Sequence, residues 1–199
     1  TTCFAVGTPI ATPAGERAVE TLKAGDPILT ADGRAVPVKW IGWQTVHRIF
    51  TPVERFRPVR IRAGALAESV PHVDLVVTAD HGILVDGIMI NAGALVNGTS
   101  IVRVPLEELA DRAVYYHVET EDHDVILAAG AAAETYVDNV TRRAFDNHAE
   151  YEALYGAEPR AMAELPYARA MSRRQIPARI LAALQAREVA TGAAGIEAA

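Results

Sequence analysis

The chain contains a single cysteine, and it lies close to the first residue. Cys3 is the only thiol among 199 residues and belongs to the opening stretch TTCFAVGT. One cysteine excludes an internal disulfide and any metal site built from several cysteines. A lone thiol is either a small buried hydrophobe or a nucleophile, and a nucleophile needs a base or proton donor from elsewhere in the chain. A catalytic Cys3 would therefore depend on partners that the fold brings to it.

A threonine and a histidine follow the apolar segment VDLVV, in the sequence Thr78-Ala79-Asp80-His81. The two side chains would converge on one point if the chain turned at the end of that strand. Histidine titrates near neutral pH and can move a proton. The same motif also fits a turn threonine beside a surface histidine, so the motif alone leaves both interpretations open.

Two further histidines, His117 and His123, lie in the stretch YYHVETEDHDVILAAG. Its alternation predicts two strands around an acidic turn. The acidic residues beside the histidines are Glu119, Glu121, Asp122 and Asp124. Such groups can ligate a metal, but their spacing matches no standard site. We interpret the carboxylates as a solvated turn and predict neither a metal nor a cofactor.

Short strands are expected to position these side chains. Residues 3 to about 140 are rich in Val, Ile and Thr, and Gly, Pro or Asp-Gly interrupts them roughly every eight to twelve residues, which predicts a compact all-β domain with an aliphatic core. Asp32-Gly33 and Asp86-Gly87 predict tight hairpins, because the central turn residues need positive φ.

A weak internal repeat divides this region into two halves. Each half has a turn glycine followed by a Leu-x-x-Gly-x-x-Ile step, in VETLKAGDPI and in AGALVNGTSI. A duplicated β unit explains the pattern, and chance similarity between glycine-rich strands explains it equally well.

The composition changes after about residue 140, where Ala, Glu, Arg and Leu become frequent. Pro166 and Pro177 divide this region into short pieces. Four apolar residues are predicted to share one helical face: Ile180, Leu181, Leu184 and Val189. The sequence therefore predicts a short helical tail that packs on the β domain or on a neighbouring one.

Composition also limits the partners. The formal net charge is -6, and no basic stripe is present to neutralise phosphates, so nucleic acid is not an expected partner. No apolar run is long enough to span a membrane, and no signal peptide is visible. A monomer is expected. The absence of an initial Met is interpreted as a sign that the chain was cut from something longer.

These motifs occur in an order typical of one family, and the chain resembles the Hint superfamily, the fold of inteins and Hedgehog autoprocessing domains. It is most similar to bacterial members outside the true inteins. The matching stretches, over about residues 3–145, are CFAVGTPIATPAGERAVETLKAGDPILTADG, VKWIGW, VRIRAGAL, DLVVTADHGILVDG, ALVNGTSI and VYYHVETEDHDVILAAGAAAETYVD. The opening Cys with Gly-Thr-x-Ile, the Leu-x-x-Gly-Asp step and Thr-x-x-His are together specific.

The resemblance implies an all-β Hint fold, a flat horseshoe-like disc of two pseudo-symmetric halves with a short helical C-terminal tail. Residues 1–2 would be the remnant of an upstream segment, residues 3–145 the autoprocessing domain and residues 146–199 the tail. The sequence does not fix the compartment; a larger bacterial protein, secreted or on the cell surface, is one expectation.

The implied activity is cleavage in cis of an upstream polypeptide. In this family the first Cys attacks the carbonyl of the preceding residue and converts the peptide bond into a thioester. The scissile bond would be Thr2–Cys3. Thr78 would hydrogen-bond its amide and hold it bent, and His81 would accept and donate the proton. No donor for the Thr2 carbonyl can be identified from sequence.

His117 and His123 lie near the family positions that assist the acyl shift and the downstream cleavage, so both are candidate catalytic residues. Splicing inteins end in His-Asn, whereas the equivalent stretch here is AAGAAAETYVDN, with Asp138-Asn139 as a poor substitute. Cleavage at the N-terminal side without full splicing is therefore expected. The alanine run in this stretch, where relatives often carry polar residues, raises loss of activity as an alternative.

The acceptor that releases the upstream segment is expected to be small. Hedgehog domains use an Asp to activate a sterol, and the matching region VKWIGWQTVHR contains no acid. Water, a thiol or an amine is therefore the expected nucleophile.

Two other functions are consistent with the sequence. The domain could be a non-catalytic structural or maturation module of a secreted or surface protein. It could also be a cysteine hydrolase acting in trans, which would need a Cys/His dyad in an open cleft. The second of these ranks last, because a Hint fold turns its Cys toward its own leader.

Overall fold

The computed structural model describes residues 2–136, 142–156 and 163–197, with side chains as far as residue 192. Thr1 and Asp138–Asn139 lie outside the described residues. The described chain forms two large open β-sheets and a two-stranded ribbon, with short helices and one longer C-terminal helix. The predicted fold class, mostly β-sheet with a helix near the C-terminus, is confirmed.

One sheet has six strands, all antiparallel to their neighbours. In spatial order they are β11 (Ile101–Arg103), β7 (Val59–Ile61), β8 (Leu75–Val77), β1 (Phe4–Ala5), β12 (Arg112–Glu119) and β6 (Trp40–His47). The first strand of the chain therefore lies inside the sheet, with a partner on each side.

The second sheet has seven strands. In spatial order they are β15 (Ala168–Ala170), β10 (Ile88–Asn91), β9 (Gly82–Val85), β14 (Ala131–Glu134), β13 (Val125–Ala128), β2 (Pro9–Thr12) and β3 (Gly15–Ala18). β15 and β10 pair in parallel, and the other pairs in this sheet are antiparallel. The ribbon consists of β4 (Pro27–Leu29) and β5 (Ala35–Pro37).

Short helices connect and follow the strands. The α-helices are α1 (Val53–Phe56), α2 (Ala92–Leu95), α3 (His148–Tyr155) and α4 (Ala178–Glu197). Single turns of 3-10 helix occur at Val19–Thr21, Arg48–Phe50, Leu106–Glu108, Arg142–Ala144 and Arg173–Gln175.

Both predicted hairpins are confirmed. Asp86 and Gly87 have φ values of 46° and 77° and join β9 to β10 directly, as a two-residue turn of this kind requires. Gly33 has a φ of 86° and lies in the turn between β4 and β5. Asp86, Gly87 and Gly33 have the left-handed backbone that Asp and Gly tolerate, whereas Asp32 does not have the positive φ expected of it.

The internal repeat has a structural counterpart. In the first half, the β2–β3 hairpin is followed by the helical turn Val19–Thr21, Gly25 with a φ of 89°, and β4. In the second half, the β9–β10 hairpin is followed by α2, Gly98 with a φ of 86°, and β11. The same order of elements in both halves favours duplication over chance similarity.

The C-terminal region, predicted to be helical, also contains a β-strand. β15 adds to the second sheet, and α4 packs on the domain through Ile180 and Leu184, which are buried, and through the partly buried Leu181. The prediction that Val189 shares this face is wrong, since Val189 is 69% exposed. At about 100° per residue, nine residues carry Val189 to the side of the helix opposite Ile180.

Two hydrophobic clusters form the core. The larger is built almost entirely from aliphatic side chains, as the composition predicted. The smaller cluster comprises Cys3, Trp40, Tyr115, Tyr136, Phe145 and Tyr151. The sparse aromatic residues are thus concentrated around the thiol, a grouping that sequence spacing did not indicate.

The packing of α4 predicts unequal effects of two truncations. Leu184→Ala should lower the free energy of unfolding by about 2–4 kcal/mol, because it leaves a cavity at a buried site. Val189→Ala should change it by less than about 0.5 kcal/mol, because that side chain faces solvent. Urea unfolding of both variants measures the difference. Equal losses would show that α4 does not pack as described.

Candidate active site

Strand register determines what lies beside Cys3. Phe4 of β1 pairs with Val77 of β8 on one side and with Tyr116 of β12 on the other. Antiparallel pairing then sets residue 3 opposite Thr78 on the first side and opposite His117 on the second. Two residues that are distant in sequence therefore flank Cys3.

Thr78 contacts the amide that joins Thr2 to Cys3. The Cys3 N–H donates to Thr78 Oγ1 at 3.0 Å, and the Thr78 N–H donates to the Cys3 carbonyl at 3.0 Å. The Thr78 hydroxyl also lies 3.4 Å from that carbonyl oxygen. The contact expected between Thr78 and this amide is therefore present.

His81 is fully buried between two backbone carbonyl groups. Its Nδ1 lies 3.1 Å from the Cys3 oxygen and its Nε2 lies 3.0 Å from the Glu134 oxygen, while the Phe4 ring packs at 4.3 Å between centroids. A neutral imidazole has one N–H, so protonation is needed for both contacts to be hydrogen bonds. Burial lowers the pKa of His81, although the Glu134 carboxylate and both carbonyls oppose that effect. His81 thus meets the Cys3 carbonyl and not the amide.

His117 contacts the carbonyl of Thr2. Its Nδ1 lies 2.8 Å from that oxygen, and the side chain is buried. A carbonyl oxygen only accepts, so Nδ1 must carry the proton and Nε2 the lone pair. In the described part of the chain, Nε2 has no hydrogen-bond partner. His117 is therefore the donor to the Thr2 carbonyl that could not be identified from sequence.

Burial strongly shifts the pKa values of the Cys3 thiol and the His117 imidazole. It raises the pKa of the Cys3 thiol to about 12, because a thiolate there would lose its hydration. It lowers the pKa of His117 to about 3, although the hydrogen bond to Thr2 opposes the shift. At neutral pH the site therefore holds a protonated thiol and a neutral imidazole.

His123 lies away from the Thr2–Cys3 bond and faces Glu134. Its Nδ1 donates to the Ala163 carbonyl at 3.1 Å, and its Nε2 lies 3.6 Å from Glu134 Oε2. Glu134 is buried and accepts hydrogen bonds from the Gly82 N–H at 2.8 Å and from Arg169 at 3.0 and 2.5 Å. Burial would raise the pKa of Glu134, but the adjacent His123 ring and the hydrogen bonds from Arg169 outweigh that effect and lower the pKa to about 2.

The acidic stretch after β12 is only partly a solvated turn. Glu119 is fully buried, and Arg142 binds its carboxylate at 2.9 and 3.0 Å. Lys39 Nζ lies 3.1 Å from the same carboxylate. Asp124 is also buried and pairs with Arg34. The solvated-turn interpretation is therefore wrong for Glu119 and Asp124, because the cations that pair with them come from distant segments.

Residues after 141 cover the aromatic cluster. The Phe145 ring packs on the His117 ring at 4.7 Å between centroids, and the Tyr136 ring meets His117 edge-on at 4.2 Å. Tyr151 packs on Trp40 at 5.2 Å. These rings exclude solvent from His117, which explains the direction of its pKa shift.

Glu134 and Arg169 were missed by sequence reasoning. Glu134 follows an alanine run, and strand alternation puts it on the opposite face from Ala133. That face is buried because the segment carrying Arg169 covers it. The one local signal was Gly82 after His81, where a Cβ would overlap Glu134 Oε1.

No group of three or more His, Cys, Asp or Glu in the described ranges is arranged to hold a metal ion. Among the helices of the described chain, none has the length and hydropathy to cross a bilayer.

The burial of Cys3 predicts slow reaction with thiol reagents. Its thiol is 1% exposed and has a pKa of about 12, whereas an unfolded cysteine has a pKa of about 8.5. At pH 8 the folded protein should react with a disulfide reagent at least about 10³-fold more slowly than the protein in denaturant. A stopped-flow comparison measures this ratio. Similar rates in both states would show an accessible or activated thiol.

The pKa of His117 predicts acid destabilisation. The unfolded chain binds a proton near pH 6.5 that native His117 does not bind until about pH 3. The free energy of unfolding should therefore fall as the pH drops below about 6.5 and be constant, for this group, above it. Each such histidine contributes a slope of about 1.4 kcal/mol per pH unit.

His117→Asn tests this assignment. Near pH 5.5 the free energy of unfolding of the variant should depend less steeply on pH, by the slope that corresponds to about one proton. This holds however much the substitution lowers the free energy of unfolding at pH 8. Urea unfolding across pH 5–8 measures the slope. An unchanged slope would show that native His117 is already protonated in this range.

The chain matches the model of the Hint domain family over residues 2–140. A comparison with curated proteins gave no match. Three solved structures resemble it over most of their own length. The bacterial intein-like domain from Clostridium thermocellum is 19% identical, with a TM-score of 0.47, and the match covers 68% of this chain and 99% of that one. The MchDnaB-1 intein is 16% identical, with a TM-score of 0.47 and coverage of 67% and 99%.

The third structure is a DnaB intein from Synechocystis, which is 10% identical, with a TM-score of 0.47 and coverage of 69% and 100%. With TM-scores below 0.5, these likenesses support no conclusion about function. Since the family match spans well over half of the sequence, the chain belongs to the Hint domain family.

Proposed function

We propose that this domain cleaves its own chain at the Thr2–Cys3 bond through an N–S acyl shift. One observation carries the proposal: both polar atoms of this single peptide bond are bound by side chains. His117 Nδ1 lies 2.8 Å from the Thr2 oxygen, and Thr78 Oγ1 accepts the Cys3 N–H at 3.0 Å. The nucleophile belongs to the same residue as the amide nitrogen. A peptide bond held at both ends beside a thiol is suited to rearrangement.

In the first step, Cys3 Sγ attacks the Thr2 carbonyl carbon. A C–S bond forms while the carbonyl π electrons move to oxygen, and the new charge falls on the atom that His117 already contacts. A neutral donor with a pKa of about 3 stays available at every pH where the reaction would run. Such a preorganised donor acts where charge develops.

In the second step, the C–N bond breaks and the Cys3 nitrogen leaves as an amine. The thiol proton must reach this nitrogen, because the exchange of amide and thiol for thioester and amine is neutral overall. Thr78 lies on the nitrogen and His81 lies next to Thr78 on the Cys3 carbonyl. We assign His81 as the proton carrier and Thr78 as the group that passes the proton to nitrogen.

A small nucleophile then releases the upstream segment. Water, a thiol or an amine attacks the thioester carbonyl, the C–S bond breaks and Cys3 regains its thiol proton. Full splicing is not proposed, because the stretch AAGAAAETYVDN contains no His-Asn pair, and Asp138-Asn139 is a poor substitute for one. The domain acts once on its own chain and is not a turnover enzyme.

A non-catalytic Hint module is the second candidate. The buried thiol with a pKa of about 12 favours it, because a thiol so deprived of solvent is inert without assistance. The same burial disfavours a hydrolase acting in trans, since an external substrate would have to displace the covering rings.

A fusion with a reporter domain upstream of Thr1 tests the proposal. The wild type should release the reporter, faster with added thiol, and hydroxylamine should trap the reporter as its hydroxamate. Cys3→Ala should not cleave. His117→Ala should cleave about 10²–10³-fold more slowly, because the developing charge loses its donor. His117→Asn should retain part of the rate, since its amide N–H can replace Nδ1–H.

His72→Ala is the matched control. His72 is an exposed histidine that pairs with Glu16 on the surface, and its loss should leave the rate within about twofold. Mass spectrometry of the released ends locates the cut. Cleavage by Cys3→Ala at the wild-type rate, or a wild type that forms no hydroxamate, would refute the acyl shift and favour the non-catalytic module.

A further inference from the structure

Glu134 holds His81 from two directions. Its backbone oxygen lies 3.0 Å from His81 Nε2, and its carboxylate accepts the N–H of Gly82, the next residue, at 2.8 Å. A Cβ on residue 82 would overlap the carboxylate. Any displacement of Glu134 would therefore move both the ring of His81 and the backbone that carries it.

The Glu134 carboxylate itself needs a cation. Its side chain is 1% exposed, and a buried carboxylate without a partner is strongly unfavourable. Arg169 supplies the partner through two hydrogen bonds, from Nη1 at 3.0 Å and from Nη2 at 2.5 Å. This two-pronged geometry fixes the orientation of the carboxylate as well as its charge.

His123 does not replace Arg169 in this role. Its Nδ1 faces the Ala163 carbonyl, and its Nε2 lies 3.6 Å from Glu134 Oε2, which is longer than a hydrogen bond. Nε2 has no hydrogen-bond partner among the residues described. Arg169 is therefore the side chain in the described ranges that hydrogen-bonds the Glu134 carboxylate.

Arg169 belongs to the C-terminal segment, residues 146–199, and the packing of that segment on the β domain brings it to Glu134. It is the central residue of β15, opposite Met89 in the parallel pairing with β10. The segment is held in place by the burial of Ile180 and Leu184 and by a hydrogen bond from Arg187 to the Gly64 carbonyl. The arginine thus belongs to a region outside the resemblance on which the processing domain was recognised.

We propose that Arg169 is a positioning residue for the acyl shift, acting through Glu134 on His81, so that docking of the C-terminal segment completes the processing site. The effect on cleavage rests on the proposed function, but the coupling of Arg169, Glu134 and His81 can be measured without any reaction. Residues 146–199 are then a functional part of the processing unit and not an appended tail.

Cleavage of the reporter fusion gives the first test. Arg169→Ala should cleave about 10- to 100-fold more slowly, because a displacement of about 1 Å at a catalytic group has an effect of this size. Arg169→Lys should recover part of the rate, since it restores the charge without the two-pronged contact. Arg179→Ala should stay within about twofold, because Arg179 lies in the same segment but pairs with Asp86 on the surface.

A double-mutant cycle separates positioning from general instability. In a Glu134→Gln background the buried charge is absent, so adding Arg169→Ala should slow cleavage by less than about threefold. The double variant also leaves no uncompensated carboxylate, so it remains testable if Arg169→Ala alone does not fold. Equal effects of Arg169→Ala in both backgrounds would overturn the proposal.

The imidazole ¹⁵N resonances of His81 provide a readout that does not need cleavage. In a Cys3→Ala background, Arg169→Ala should shift these resonances, whereas Arg179→Ala should leave them in place. If the wild-type fusion never cleaves but the shift is seen, the proposed function fails and the coupling stands. Unchanged His81 resonances in Arg169→Ala would refute the coupling even if cleavage slows.

Discussion

The contacts at the Thr2–Cys3 bond depend on the hydrogen bonding of a strand only two residues long. β1 lies between β8 and β12, and its pairing on both sides aligns Cys3 with Thr78 and with His117. Pairing on both sides, together with the burial of Phe4 and Cys3, holds this short strand in register. A shift by one residue would turn Cys3 to the other face of the sheet and separate Thr2 from His117.

Burial keeps His117 neutral and able to donate a hydrogen bond, and it also makes the Cys3 thiol unreactive. The aromatic rings around Cys3 keep His117 neutral, so it remains a hydrogen-bond donor to the Thr2 oxygen at neutral pH. The same environment keeps the thiol protonated. Activation must therefore come from a proton transfer within the site, which is the role that the proposed mechanism gives to His81 and Thr78. Charges that are buried nearby, on Glu119 and Glu134, are each paired with an arginine from the C-terminal third of the chain.

Much of the fold could be predicted because it depends on local chemistry. Asp-Gly turns, alternating strands and the repeated Leu-x-x-Gly-x-x-Ile step act over a few residues, and the structure has the two hairpins and the duplicated order of elements. Local patterns were less reliable in the C-terminal segment, where β15 was missed and Val189 was assigned to the wrong face of α4. A three-residue parallel strand has no sequence signal of its own, because its partner, β10, supplies the hydrogen bonds.

The sequence by itself determined the family and the all-β architecture. It also identified Thr78, His81 and His117 as candidate catalytic partners of Cys3. Only the tertiary structure decided which atom each one meets. His117 binds the Thr2 carbonyl because strand register sets it there, and His81 meets the Cys3 carbonyl because Glu134 holds its other nitrogen. Glu134 and Arg169 became visible only in three dimensions, since a buried ion pair between segments 35 residues apart leaves no periodic trace in either segment.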